Sequence, residues 1–339
     1  MTPKLRLRAL LCACAAAFVS TAVPVYAEDA QRCHGVDMLG EMQTKSPTLY
    51  KTVMDQSRAT ANTEALLWKI EKPGVAPSYL LGTMHLSDPR ISKLSDKVKD
   101  AIAHSKSVAL EVADLSDKAV AAAMTKSQGL VVYSGGKTLN GQLSADEFKQ
   151  VQTVVTRAGM PEAVAAVLRP WMISMLLATS DCERKQVASG AKVLDLRVAA
   201  EAQKDGLTVT GLETIEKQLQ ALASIPDDQQ IAMLKVALKY ADRSDDLMET
   251  LIEMYVKREI GAAMPFQLAL AAQVGVPASA FDGFKKALLI DRNTRMRDAA
   301  EPLLEKGNAF IAVGALHLVG STGLVALLRA RGYTVTAVE

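Results

Sequence analysis

Cysteine, histidine and aromatic residues are all scarce in this chain of 339 residues, which has four cysteines, four histidines and an aromatic content of 4%. With so few rings, a chain that is 49% hydrophobic must build its core from Ala, Val, Leu, Ile and Met, the material of many packed helices around a few buried strands. Charge of one sign is also lacking. The 39 basic residues face 37 acidic ones, so composition offers no footprint for nucleic acid or an anionic membrane. After residue 27 there is no apolar run long enough to span a bilayer and no Gly/Ser- or Pro-rich linker. One domain over residues 28–339 is therefore expected.

The chain opens with a leader. Lys4, Arg6 and Arg8 precede an uncharged stretch from Ala9 to Val23, and Val25-Tyr26-Ala27 offers a small-residue cleavage site before Glu28. Residues 1–27 are expected to be a signal peptide, which would put the mature chain in the periplasm or outside the cell. An uncleaved anchor is the alternative, against which stand the shortness of the run and Pro24. Cys12 and Cys14 lie too near the basic start for lipid attachment. Cleavage would remove three of the 39 basic residues and no acidic one, leaving 36 against 37. It would also leave Cys33 and Cys182, an even pair that predicts one disulfide in an oxidising compartment, the alternative being two separate buried thiols.

Further along, Pro73-Gly74 and Pro77 divide Leu66–Ile70 from Tyr79-Leu80-Leu81, which reads as a hairpin. Leu94 to His104 has helical spacing, and Ser107 to Val112 reads as a short buried strand. The middle is mostly helical. Ser144 with Asp146 and Glu147 caps a helix to about Arg157, Pro161 opens another to about Leu168, and helical patterns cover 171–179, 194–204, 214–223, 226–241, 244–257 and 283–306. Leu207 to Glu213 is a β-branched strand pattern within this stretch; Ala309–Val313, a helix over 321–331 and a strand from Tyr333 to Val338 close the chain. Strands at both ends around a large helical insert imply an α/β fold whose central sheet is built from both ends of the chain.

Two of the four histidines share one local setting. Gly82-Thr83-Met84-His85 follows Tyr79-Leu80-Leu81, and Gly314-Ala315-Leu316-His317 follows Phe310–Val313. Between these Gly-x-x-His motifs, Leu110-Glu111 and Leu212-Glu213 end two more strands, so the four strand ends run His, Glu, Glu, His. Side chains leaving the carboxyl ends of adjacent strands converge in a crevice, where open α/β sheets place ligands. Imidazole and carboxylate together ligate Mn, Co, Zn or Fe, and such a divalent metal activates water for hydrolysis. A glycine at each strand exit would allow positive φ and a close backbone approach. Either motif alone is common by chance. Glu111 stands inside the apolar run Val108 to Val112, where a carboxylate is costly without a cation. Glu213 either joins the crevice or charges the start of the next helix. Arg292, in Asp291-Arg292-Asn293, either pairs with Glu111 or a substrate oxygen or lies on a solvated helix face.

Together these residues resemble the TraB/GumN family, which includes the Tiki proteins. The likeness runs through Leu67-Trp68-Lys69-Ile70, Pro77 to Leu86, Ala109-Leu110-Glu111, Arg169-Pro170-Trp171-Met172, Gly211 to Thr214 with Gln218-Leu219, Arg292-Asn293, Val313 to Gly320 and Gly332-Tyr333. It implies a pseudo-symmetric α/β core of the erythromycin esterase, ChaN and Tiki kind. It also implies metal-dependent peptide cleavage with the ion on His85, His317 and Glu111, and catalytic roles for Glu111 and, by a looser mapping, Glu213 and Arg292. The family's Gly-hydrophobic-Asp pattern is broken at Val193-Leu194-Asp195, with Gly190 set back, so Asp195 is not expected in the site. The resemblance points to the bacterial GumN-like branch and to an exported metal-dependent hydrolase acting on a peptide or other small polar substrate. A non-catalytic periplasmic metal-, haem- or ligand-binding protein stays open, as does an accessory factor in envelope or exopolysaccharide biology.

Overall fold

The computed structural model describes residues 33–339; the expected signal peptide and its cleavage point at Ala27/Glu28 lie outside the described residues. Six strands form one mixed sheet: β1 Leu67–Lys72, β2 Val75–Thr83, β3 Ser107–Leu110, β4 Val209–Gly211, β5 Ala309–Gly314 and β6 Thr334–Ala337. Their spatial order is β4-β3-β5-β2-β1-β6. β4, β3, β5 and β2 run parallel, while β1 is antiparallel to both of its neighbours. β1 and β2 form the expected hairpin, turning at Pro73-Gly74, where Gly74 takes a φ of 78° that suits a residue without Cβ.

The sequence of β5 explains its central place. It is apolar at every position from Ala309 to Val313, and all five residues are buried. Phe310 and Ala312 enter one core with Leu81, Val108, Leu110 and Phe266; Ala309, Ile311 and Val313 enter the other with Trp68, Leu80, Ala109 and Met296. Alternate side chains of a strand point to opposite faces, so a strand covered on both sides must be apolar throughout. Burying Phe310 completely contributes about 2–3 kcal/mol.

Helices of the segment between β3 and β5 pack a third core around Val151, Val155, Ile173, Leu219 and Leu234. The helix Ala145–Arg157 begins with a reciprocal cap, in which the Glu147 amide donates to Ser144 Oγ and the Ser144 amide donates to Glu147 Oε2. Two expected helices come out differently. The one from Pro161 is only a 3-10 turn, Glu162–Ala166, and Arg169, the residue before Pro170, is extended. The one over 283–306 contains a π-helical turn, Lys285–Ile290, before its α-helical part Asp291–Lys306. Cys33 and Cys182 are joined by a disulfide. Among the described residues, no helix is long and apolar enough to cross a membrane.

Candidate active site

The carboxyl ends of the parallel strands carry the chemistry-bearing residues. His85 follows β2, His317 follows β5, Glu111 follows β3 and Glu213 follows β4, so across the sheet the two histidine strands are neighbours and the two glutamate strands are neighbours. Arg292 and Asn293 reach the same place from the first turn of Asp291–Lys306, just past the π-helical turn, and both are buried. Such turns recur at functional sites.

Glu111 is the hub. Its Oε1 accepts from the Gly314 amide at 2.7 Å and lies 3.6 Å from His317 Nε2, while its Oε2 accepts from Arg292 Nη2 at 2.6 Å and Gln218 Nε2 at 3.1 Å. Arg292 also donates to Glu213 Oε1 through Nε at 2.8 Å and through Nη2, and Gln218 donates to the same oxygen at 3.1 Å. Glu213 Oε2 is buried with no hydrogen-bond partner. Of the readings the sequence left open for Arg292, the structure takes the ion pair: its side chain is 9% exposed and bridges the carboxylates of Glu111 and Glu213, whose side chains are 8% and 1% exposed.

The two imidazoles are held alike. His85 Nδ1 faces Asp195 Oδ2 at 2.8 Å, and Thr83 Oγ1 donates to Asp195 Oδ1 at 2.7 Å. A carboxylate can only accept, so His85 Nδ1 carries the proton. His317 Nδ1 lies 2.6 Å from Asn293 Oδ1. The Asn293 amide nitrogen donates to the Thr322 carbonyl at 2.8 Å, which fixes Oδ1 toward the ring and makes His317 Nδ1 a donor too. In the neutral rings the lone pair is thus on Nε2. A Cβ built on Gly314 would sit 3.6 Å from His85 Nε2, 3.6 Å from His317 Cδ2 and 3.2 Å from Glu111 Oε1, so all three surround the same small space.

Their protonation differs with their surroundings. Burial opposes the charge on His85, but the Asp195 carboxylate, with help from Glu111, outweighs it and holds the pKa up at about 9. With 59% of its side chain exposed, His85 is the lip of the crevice, and solvent there screens part of that pull. Burial dominates at His317, which is 5% exposed, and lowers its pKa to about 4. Burial alone would raise Glu111; a charged His317, Arg292, His85 and the Gly314 amide together bring it down to about 2. His317 is neutral at pH 7, so Arg292, His85 and the amide keep Glu111 ionised there.

Two expectations need correction. Neither Gly82 nor Gly314 adopts positive φ. Their missing side chains matter instead for close approach: a Cβ on Gly82 would lie 3.1 Å from Ala315 Cα and 3.0 Å from Leu318 Cδ2, and one on Gly314 would crowd Glu111. Asp195, left out above, is buried at 4% exposure and orients His85. The criterion that singled out Glu111, an acid in an apolar run, also fits Val193-Leu194-Asp195-Leu196; the broken family pattern drew attention away from it. Gln218 and Thr83 had no such signal.

In kind, the donors suit a divalent cation: two imidazoles with Nδ1 tied to an acceptor, the usual outer-shell arrangement of metal-bound histidine, and an ionised carboxylate. They are not drawn into a ready cage, since among the described residues no three His, Cys, Asp or Glu side chains are gathered as a metal cluster.

Among similar proteins, Metalloprotease TIKI1 of Danio rerio is 25% identical over 320 residues, covering 80% of this chain and 62% of that protein. Metalloprotease TIKI1 of Homo sapiens is 25% identical, covering 80% of this chain and 61% of the relative. The chain thus spans less than two thirds of the length of these relatives. Uncharacterized protein YbaP of Shigella flexneri is 22% identical over 260 residues, covering 77% of this chain and 90% of that protein. No solved structure matches. The model of the TraB/PrgY/gumN family matches residues 66–337, from the start of the β1 hairpin to the end of β6 and so across every strand that builds the crevice, and the chain belongs to that family.

Proposed function

We propose that this chain is an exported metal-dependent hydrolase of peptidase-like action, with a divalent ion held by His85, His317 and Glu111. The observation that carries this reading is the pair of imidazoles tied at Nδ1 by Asp195 and Asn293, beside one small space at Gly314, where a metal would take the place of the proton on His85 Nε2. Relatives named metalloproteases support the class of chemistry. When bound, a Mn, Co, Zn or Fe ion supplies Lewis-acid polarisation of a carbonyl and of water.

The chain's own residues divide the remaining work. Asp195 and Asn293 fix ring orientation and tautomer. Glu111, held ionised, serves as ligand, whereas Glu213 keeps a buried oxygen without a partner, Oε2, and is the general base. Arg292 offsets one of the two negative charges and donates to both carboxylates, which lowers the cost of burying them. A peptide or other small polar substrate enters from the exposed side of His85. The mirrored His, Glu, Glu, His order supports a pseudo-symmetric core of two related halves, and residues 1–27 direct export.

The test is metal analysis of the purified protein followed by peptide-library cleavage with and without Mn²⁺ or Co²⁺. Cleavage lost in both His85→Ala and His317→Ala is expected. Stoichiometric metal or haem binding with no turnover of any peptide would sink the hydrolase and leave a binding protein.

A further inference from the structure

Four helices, Pro170–Leu177, Asp227–Lys239, Ser244–Val256 and Ala263–Gln273, line a half-open cavity of about 340 Å³. It is separate from the crevice, for none of His85, Glu111, Glu213, Arg292 or His317 lines it. Its wall is apolar, with Met175, Met233, Met248, Leu251, Phe266 and Phe284 prominent, and no charged residue is part of it. Methionine adapts its shape to irregular apolar guests. Ser174 also lines it, and its Oγ is buried without a hydrogen-bond partner. A ligand seated in it takes this apolar wall out of water and adds dispersion contacts along it.

A smaller recess of about 60 Å³ adjoins the cavity, sharing Leu177, Ala241 and Ser244 with it. This recess carries the charge that the cavity lacks, in Arg157, Arg184 and Asp181. Arg184 donates to Asp181 and, at 3.0 Å, to the Leu176 carbonyl; Arg157 Nη1 stands 3.9 Å from Asp181 Oδ2. Two guanidinium groups against one carboxylate leave one positive charge beside the apolar chamber, on side chains that reach solvent, Arg157 being 62% and Arg184 39% exposed.

We propose that this pair of spaces binds a single hydrocarbon chain ending in an anionic head, the chemistry of a fatty acid, with the tail among the methionines and the head at Arg157 and Arg184. A dry cavity of about 150 Å³ accommodates benzene, so this one has room for about a dozen carbons. The head explains the cation at one end only, and the tail explains a lining without charge. The free acid and the acyl chain of a lysophospholipid share this chemistry.

The experiment uses the delipidated whole protein and follows binding by calorimetry and by the fluorescence of Trp171, which lines the cavity. Dodecanoate should bind one to one, and affinity should rise about tenfold for each two methylenes from hexanoate to dodecanoate. Arg184→Gln should weaken dodecanoate about threefold to tenfold while leaving dodecanol unchanged. Ala237→Trp, on the cavity wall, should abolish binding of both. Saturation by dodecanoate or by the lysophospholipid with the same chain supports the site, and the tighter of the two identifies the source. Equal binding of hexanoate and dodecanoate, no binding below the micellar concentration, or undiminished binding in a folded Ala237→Trp variant overturns the proposal. Should that variant fail to fold, the chain-length series and Arg184→Gln decide.

Discussion

Replacing Arg292 with alanine removes the cation that is hydrogen-bonded to both Glu111 and Glu213, two buried residues. Gln218 remains as a donor to both, but it brings no charge. Breaking a buried pair by deleting one partner costs about 3–5 kcal/mol, because the charge left behind is neither hydrated nor compensated. For a chain of this size that is a fall in melting temperature of roughly 5–10 °C, measurable by circular dichroism at pH 7.5 with EDTA present. The pH dependence carries a sign. Glu111 in the native protein is lowered to about 2, so its contribution is fully present above an unfolded value of about 4.5 and is lost as pH falls through 2. In Arg292→Ala, Glu111 loses one of the charges that hold its pKa down and takes up a proton earlier, so the gap between variant and native protein should narrow as pH drops from 7 to 4. A variant melting within 1 °C of the native protein at pH 7.5, or a gap independent of pH, would refute the reasoning.

In metal-free protein, NMR titration of the imidazoles should put His85 above its ordinary value and His317 near 4; the two titrating together around 6.5 would contradict the geometry. The raised His85 value stabilises the fold fully below about 6.5 and ceases to do so as pH rises through 9, whereas the neutral burial of His317 helps above about 6.5 and is lost as pH falls through 4. Mass mapping without reduction should find Cys33 linked to Cys182, and Cys33→Ser with Cys182→Ser should cost about 2–5 kcal/mol in urea unfolding; free thiols at both positions would refute the bond. Gly82→Ala meets Ala315 Cα at 3.1 Å and should destabilise by about 1–3 kcal/mol. An unchanged melting curve would show that the neighbouring turn yields instead.

Much of the architecture was legible where burial is simple. β5 and β3 stand out because strands covered on both faces are apolar throughout, and Ser144 with Glu147 marks a helix start by local chemistry alone. The helix Ala263–Gln273 was not legible, since AMPFQLALAAQ is apolar on nearly every side and shows no period. Neither was Asp181–Ala188, whose residues are mostly polar. At the site, His85, His317 and Glu111 announced themselves by motif and by cost of burial. Asn293 and Gln218 stood among the residues of the resemblance without a role, because a neutral amide reveals its role only through the partner that folding brings to it.

β5 lies between β3 and β2, and it is the strand whose following turn carries His317. Its partners are synthesised some two hundred residues earlier. Until residues 309–314 insert, β2 and β3 each present an open edge with unpaired backbone groups, the kind of surface that recruits other chains, and the long separation makes this closure slow. The step that seals the sheet is the same step that delivers the second histidine. A partly folded chain therefore lacks a complete crevice, and the molecule acquires its chemistry and its protection from aggregation in one event.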